Sequence, residues 1–290
     1  MRTGVVILPQ QRWADAADTW RRAEELGFAH AWTYDHLSWR SLRDQPWFAT
    51  VPTLTAAATV TSTIRLGTWV ASPNFRHPVP FAKELMSLDD ISGGRFVLGV
   101  GSGGTGADAT VLGDAVLPQG RRTARFEEFV ELLEELLRQR STTWHGEFYA
   151  ADDARMLPGG PSSPRLPFVV AANGPRGMRL AARLGDGWAT TGPATGGDVA
   201  GWWAGVEQAH RSFTETLESS GRHPDSVDRY LSVDGEAYAL TSVEEFLHAH
   251  DRARAIGFTD LVTHWPRADG IYAGDERVLE AVADRLPGLG

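Results

Sequence analysis

Cysteine is absent from the 290 residues, which excludes disulfides, thiolate metal sites and a cysteine nucleophile. Lysine is almost absent too: of the 28 basic residues only Lys83 is a lysine. Schiff-base chemistry would need Lys83, which falls inside a predicted helix and not at a strand end. No Walker-type phosphate loop is present either, so pyridoxal-phosphate enzymes and lysine-dependent aldolases drop out. Positive charge is in deficit. The net charge is -9 with no basic arm to offset it, which argues against nucleic acid or an anionic membrane surface as partner. Long apolar runs are also missing. MRTGVVILPQQRW is too short for a signal-peptide core, and the uncharged stretch Pro46 to Ile64 is interrupted by Pro52 and crowded with threonine, a poor membrane span. The expectation is a cytoplasmic protein.

What is present is a chain 42% hydrophobic and 22% charged, long enough for one barrel-sized core or two small domains. The most informative stretch is Arg65 to Gly104, RLGTWVASPNFRHPVPFAKELMSLDDISGGRFVLGVGSGG. Two β-type runs, Leu66 to Ala71 and Phe96 to Val100, flank a segment with Phe81, Leu85, Leu88 and Ile91 at helical spacing. Pro78 and Pro80 suit its first turn. This is a βαβ unit, whose strands are parallel and whose connection is right-handed by strong default. Ligands of such folds gather at the carboxyl ends of the strands, here Ser72-Pro73-Asn74 and Gly101 to Gly104.

The same alternation runs along the chain. Gly4 to Leu8 is a strand and Trp13 to Leu26 a helix closed by Gly27; His30 to Tyr34 is the second strand, and Val51 to Thr61 its helix. Arg121 to Arg140 carries Phe126, Phe129, Val130, Leu133, Leu136 and Leu137 on one stripe. Residues 142–167 break the rhythm with paired turn signals and too little core for a domain, so they read as an insertion, with a hairpin expected, between helix four and strand five. Four further units follow: strands Phe168 to Ala172, Gly187 to Thr191, Val227 to Val233 and Thr259 to Thr263, with helices Arg176 to Leu184, Asp198 to Ser219, Val243 to Ile256 and Glu276 to Leu286. Eight βα units favour a single-domain α/β protein over residues 1–290, a (β/α)8 TIM barrel, with an open doubly wound sheet as the alternative.

Several residues at strand ends could carry chemistry. Asp35 and His36 follow strand two; a histidine there can exchange a proton near neutral pH, and the carboxylate can hold a ligand, or both can simply cap a loop. Gly101 to Gly104 and Asn173-Gly174-Pro175-Arg176-Gly177 leave strands four and five with little side chain, which suits close approach of a flat or phosphorylated ligand and equally suits tight turns. Arg176 stands at a predicted helix start, where free N–H groups favour an anion. His264 and Trp265 follow strand eight as candidates for the cleft or the core; Trp39, Trp47 and Trp188 offer an aromatic wall or core packing. His248 and His250 lie about 200° apart around a helix, which predicts two surface residues rather than a ligand pair. No metal site is expected, and without paired histidines at strand ends a metal-dependent hydrolase is disfavoured.

Taken together, YDHLSW after strand two, LGTWVASPNFRHP at strand three, GGRFVLGVGSG at strand four, AANGPRG at strand five and LGDGW at strand six resemble the luciferase-like monooxygenase superfamily, most of all its branch using the deazaflavin coenzyme F420. The resemblance spans about Gly4 to Thr191, and DLVTHWPR has the flavour of the same branch. It implies an oxidoreductase transferring hydride between F420 and a small organic substrate, with an FMN monooxygenase or a non-catalytic cofactor-binding protein as alternatives, and a homodimer formed through helices beside strands two and three. It assigns His36 to proton transfer and Asp35 to the ring or side chain of the cofactor. Trp69-Val70 occupies the position of a non-proline cis peptide behind the ring. Ser72, Ser102 and Gly103 are implied to touch the cofactor, and Asn173, Gly174, Arg176 and Gly177 to hold its phosphate-bearing tail. Trp39, Thr191, His264 and Trp265 are candidates for the substrate pocket, Thr191 at a position the resemblance places on the substrate side. The family's sugar-phosphate dehydrogenases carry a glutamate where this chain has Gly104, an asparagine at Ala107 and a lysine at Ala194. Glucose 6-phosphate is therefore not the expected substrate.

Overall fold

Apolar runs of strand length separated by amphipathic stripes leave the backbone one economical arrangement, strands inside and helices around them. In the computed structural model, which describes residues 1–289, β1 (Arg2–Val6) leads to α1 (Trp13–Glu25), β2 (His30–Thr33) to α2 (Thr50–Val60), β3 (Arg65–Thr68) to α3 (Pro78–Ser92) and β4 (Phe96–Val100) to α4 (Gln119–Arg138). A hairpin of β5 (Ser141–His145) and β6 (Ala150–Arg155) intervenes. Then come β7 (Phe168–Ala171) with α5 (Pro175–Leu184), β8 (Gly187–Thr190) with α6 (Val199–Ser219), β9 (Asp228–Ser232) with α7 (Val243–Ile256) and β10 (Asp260–His264) with α8 (Glu276–Ala283). The strands other than β5 and β6 close into a barrel in the order β1-β10-β9-β8-β7-β4-β3-β2. Each barrel pairing is parallel, and β1 meets β10 from Arg2 opposite Asp260 to Val6 opposite His264. The open-sheet alternative is thereby removed.

Strand alternation sorts the core into two layers. Val6, Trp32, Val97, Val169, Ala189, Tyr230 and Val262 fill the barrel, while their neighbours Val5, Leu98, Val170, Trp188, Leu231 and Leu261 pack outward against the helices. Trp188 therefore belongs to the outer layer, stacked on Phe213 at 4.5 Å and on Phe258 at 6.1 Å, and does not form part of an aromatic wall at a cleft. Inside, the Trp32 ring occupies the space above Gly67, where a Cβ would come within 2.3 Å of it. The lower end of the barrel is closed by polar groups. Trp32 Nε1 donates to His30 Nδ1 at 2.6 Å, His30 Nε2 meets Asp260 at 3.0 Å, and Arg2 bridges Asp260 and Asp228. Burial lowers the His30 pKa, so the imidazole is kept neutral.

Local chemistry sets the helix ends. Pro78 opens α3, His77 Nδ1 accepts from Val79 N–H, and Gly93 ends the helix at φ 65°. Ser242 caps α7 by accepting from Glu245 N–H, and Gly257 closes it at φ 111°. Three expectations are corrected. Ile91, expected on the buried stripe of α3, is 45% exposed, because the stripe that packs is Phe81, Leu85 and Leu88 and the helix ends one residue later. His250, expected at the surface, is fully buried; it falls one turn after Phe246 and so shares the inward face of α7. The closing helix stops at Ala283, short of Leu286.

The insertion after α4 forms the expected hairpin, with Ser141 opposite Arg155 and His145 opposite Ala150. Its tip is held by one buried carboxylate: Glu128 accepts from the backbone N–H groups of Glu147, Phe148 and Tyr149 and from Trp144 Nε1. Among the described residues, no helix is long and apolar enough to cross a membrane.

Candidate active site

The carboxyl ends of the strands form one mouth, and the chain leaves each strand there with a different chemical group. β2 runs into Tyr34, Asp35 and His36. Asp35 is buried, and both its oxygens are taken by Arg76 from the loop after β3, at 2.6 and 2.7 Å. Arg76 also reaches Glu84 at 2.9 Å and lies 4.2 Å from the Phe81 ring centroid. Ion pairing outweighs burial and raises the Arg76 pKa. His36 is left partly exposed, with Nδ1 2.5 Å from Asp108 Oδ2. The other oxygen of Asp108 accepts from Leu37 N–H at 2.9 Å and Ser38 N–H at 3.1 Å. A carboxylate has no hydrogen to give, so Nδ1 carries a proton, and in the neutral imidazole Nε2 is the acceptor.

The exit from β3 contains the Trp69-Val70 peptide, which is cis, followed by buried Ser72 and Asn74. From β4 come Gly101, half-buried Ser102 and Gly103. Gly103 has φ 74°, and a Cβ on it would fall 2.7 Å from the Asn74 amide. Asn74 in turn donates to Gly104 O and accepts from Arg125 Nη2 at 2.7 Å. Arg125 and Arg122, in the first turns of α4, each keep a buried Nε without a hydrogen-bond partner. At β7, Asn173 Oδ1 accepts from Thr190 Oγ1 at 2.6 Å, Gly174 precedes the first turn of α5, and Gly177 lies so close to Ala172 that a Cβ would come within 2.8 Å of it. Arg176 is half-exposed and paired with Glu127 on α4. A cavity of about 730 Å³ between α5 and α6 opens beside Asn173, Thr190 and Gly192.

The far side of the mouth is aromatic. Trp39 is buried against Tyr34, with centroids 5.0 Å apart, and against Tyr272 at 6.4 Å. His264, the last residue of β10, points inward beneath Tyr272; the two rings stack 3.6 Å apart and 5° from parallel. Trp265 does not line the cleft. It turns outward with the alternation of the strand, packs on the outer core and donates Nε1–H to Glu276 at the start of α8. Thr191 is exposed beyond the end of β8, its hydroxyl 3.5 Å from Asn173 Nδ2.

The mouth thus brings together His36, Asp35, Trp69, Val70, Ser72, Ser102, Gly103, Asn173, Gly174, Trp39 and His264. Sequence reasoning passed over Arg76, Asp108, Tyr34, Asp234 and Tyr272. Arg76 stood in a quoted motif, and two carboxylates near glycine-rich exits were a usable signal; Tyr272, 238 positions from Tyr34, gave none.

These features define a (β/α)8 barrel with a carboxylate-backed histidine and glycine-lined exits at its C-terminal mouth, the face on which such barrels place their active sites. The chain belongs to the luciferase-like monooxygenase family, whose model matches residues 1–271. It is 33% identical over 236 residues to an F420-dependent glucose-6-phosphate dehydrogenase of Nakamurella multipartita, with 76% of this chain and 62% of that protein covered. A relative of the same name from Kineococcus radiotolerans is 33% identical over 219 residues, covering 75% of this chain and 62% of the relative. The chain thus spans just under two thirds of the length of these two relatives. An uncharacterized protein of Mycobacterium bovis, Mb0978c, is 33% identical, with 66% of this chain and 72% of that protein covered. In fold, the chain is similar to an F420-dependent secondary alcohol dehydrogenase, with a TM-score of 0.83 at 17% identity over 100% of this chain and 99% of the other. It is also similar to the F420-dependent tetrahydromethanopterin reductase of Methanopyrus kandleri, with a TM-score of 0.78 at 20% identity and the same coverage.

Proposed function

We propose that this protein is a cytoplasmic F420-dependent oxidoreductase that moves hydride between the deazaflavin and a small organic substrate other than glucose 6-phosphate. The names of the curated relatives support the cofactor. The observation that carries the reading is the convergence on one mouth of the Trp69-Val70 cis peptide, Ser72, Gly103 and Asn173 beside a histidine with a free Nε2. The residues fit a flat ring with an anionic tail: Arg122 and Arg125 in the first turns of α4 keep buried, unpartnered Nε atoms, Arg125 reaches Asn74 through Nη2, and the start of α5 adds backbone N–H groups.

When bound, F420 would supply the two-electron redox chemistry. Trp69, Val70, Ser72, Ser102 and Gly103 would hold the ring, and Asn173, Gly174, Arg176 and Gly177 its tail, with Arg176 shared with Glu127. Asp35 would act through Arg76, which occupies both its oxygens. His36 exchanges a proton at Nε2 while Asp108 fixes its tautomer and stabilises the imidazolium. Trp39 and Thr191 would border the substrate. The resemblance puts an acid, an amide and a cation of the sugar-phosphate dehydrogenases at Gly104, Ala107 and Ala194, which supply none of them, and this supports an uncharged or apolar substrate on the aromatic side of the mouth. Self-association through α2 and α3 is part of the same reading, supported by an α2 without a single charged residue and by exposed Ile91.

The test is a fluorescence titration of the purified protein with F420 and with FMN. Saturable F420 binding with FMN at least about tenfold weaker supports the reading, a difference of about 1.4 kcal/mol. The reverse preference would favour a flavin monooxygenase of the same fold. His36→Ala should retain F420 affinity and lose turnover.

A further inference from the structure

We propose that Asp234, His264, Tyr34 and Tyr272 form a proton relay serving the oxygen of an alcohol or carbonyl substrate, with Tyr272 the residue that touches it. The inference rests on the hydride-transfer reading above and goes beyond it by naming a second acid–base device and a substrate class.

The direction of the relay follows from counting hydrogens. Asp234 lies in the loop after β9 with its side chain wholly buried. One oxygen accepts from Ala239 N–H at 2.8 Å; the other faces Thr263 Oγ1 at 3.0 Å, His264 N–H at 2.8 Å and His264 Nδ1 at 2.7 Å. All four partners are donors, so His264 carries a proton on Nδ1, and in the neutral imidazole Nε2 has only a lone pair to offer. Tyr34 Oη lies 2.7 Å from that Nε2 and must donate to it. Its single hydrogen is then committed, so the 3.0 Å contact between Tyr34 and Tyr272 is a bond donated by Tyr272. The Tyr272 oxygen is left with unused lone pairs on a half-buried side chain at the mouth. Every hydrogen in the chain points away from the cleft, which is the polarity for receiving a proton there.

The placement of Tyr272 is built. Its backbone sits at φ 62°, a left-handed conformation rare for a bulky residue. Arg267 holds the loop in that shape: its N–H donates to Tyr272 O at 2.9 Å, and its guanidinium donates to Asp269 O, Ile271 O and Gln10 Oε1. The stack on His264 fixes the ring. Burial raises both tyrosine pKa values, so both hydroxyls stay protonated near neutral pH and can pass hydrogens along. Among the described residues no hydrogen bond joins this relay to the His36–Asp108 pair; Tyr34 and His36 meet edge-on with centroids 5.7 Å apart.

In the oxidation direction the substrate carbon would give up its hydrogen as hydride, for which a bound deazaflavin would be the acceptor, as the carbon–oxygen double bond forms. The hydroxyl proton passes to the Tyr272 oxygen, the Tyr272 proton to Tyr34, and the Tyr34 proton to His264 Nε2, giving an imidazolium beside Asp234. His36 would pass from solvent the proton that a bound deazaflavin takes up on reduction. In reverse, the same relay protonates the oxygen of a carbonyl as hydride arrives.

The experiment uses the full-length protein. In the protein without cofactor, 15N NMR should find His264 as the Nδ1–H tautomer; the Nε2–H tautomer overturns the relay whatever the cofactor. After F420 binding has been shown by titration, the loaded protein is assayed with isopropanol, cyclohexanol and, with reduced F420, cyclohexanone. Turnover of at least one is expected, with Tyr272→Phe lowering kcat by about 100-fold or more while KM and F420 affinity hold. Wild-type kcat in Tyr272→Phe, or F420 binding without turnover of any of the three, overturns the inference and leaves the cofactor reading standing. Absence of F420 binding refutes the cofactor reading itself, and the substrate assignment falls with it.

Discussion

Asp108 holds His36 from across the mouth, with one oxygen 2.5 Å from Nδ1 and the other on the backbone N–H groups of Leu37 and Ser38. The loop after β4 thereby sets both the position of the imidazole and the nitrogen that faces the cleft.

Asp108→Asn keeps the shape and presents an amide where a carboxylate stood. The imidazolium loses its counter-charge and the tautomer its constraint, so turnover should fall by about 100-fold to 10,000-fold. F420 affinity, measured by fluorescence, should change by less than about threefold, or about 0.6 kcal/mol. A comparable loss of affinity would mean that Asp108 organises the cofactor site instead.

Arg76→Met tests the ion pair beneath the mouth. It removes both donors from Asp35, whose side chain is 2% exposed, and a buried carboxylate without a partner costs about 3 to 5 kcal/mol. Urea denaturation should show that loss. Asp35→Asn combined with Arg76→Met should recover part of it, because the stranded charge is gone.

His210 gives the fold an acid sensitivity. Burial first, then the neighbouring Arg229, lowers its pKa from the usual 6.5 to about 4. Between those values the unfolded chain binds a proton that the folded chain refuses. This contribution to stability is complete above pH 6.5 and is lost as pH falls toward 4. His210→Gln can still accept a hydrogen bond from Arg229 but cannot titrate, and its stability should depend less on pH in that window. Thermal melts across the range would measure the difference.

Gly67→Ala probes the barrel interior. The added methyl would meet Trp32 at 2.3 Å and the carbonyl of Val97 at 2.6 Å, and neither the fully buried ring nor the strand can move aside cheaply. A loss of about 1 to 3 kcal/mol is expected, read by chemical denaturation and by a shift in tryptophan emission.

The sequence marked the eight βα units of the barrel and left an open sheet possible until the ring closed. Its eight alternations of a strand-length apolar run with a helical stripe, the hairpin within 142–167 and the glycine-bearing exits at Gly101 and Asn173 are local patterns, and local backbone preference is written in neighbouring residues. It also marked His36, Ser72 and Gly103, since a residue just past a strand end must stand at the mouth. Tertiary structure alone decided what each group touches. Closing the ring put Arg76 on Asp35 and Asp108 on His36, and set Tyr34 against Tyr272, partners separated by 41, 72 and 238 positions. It also sent Trp265 outward and His264 inward, and buried His250 on a helix whose polar sequence suggested the surface. Such pairings depend on which strands become neighbours and which way each side chain leaves the ring, and no window of sequence contains both members.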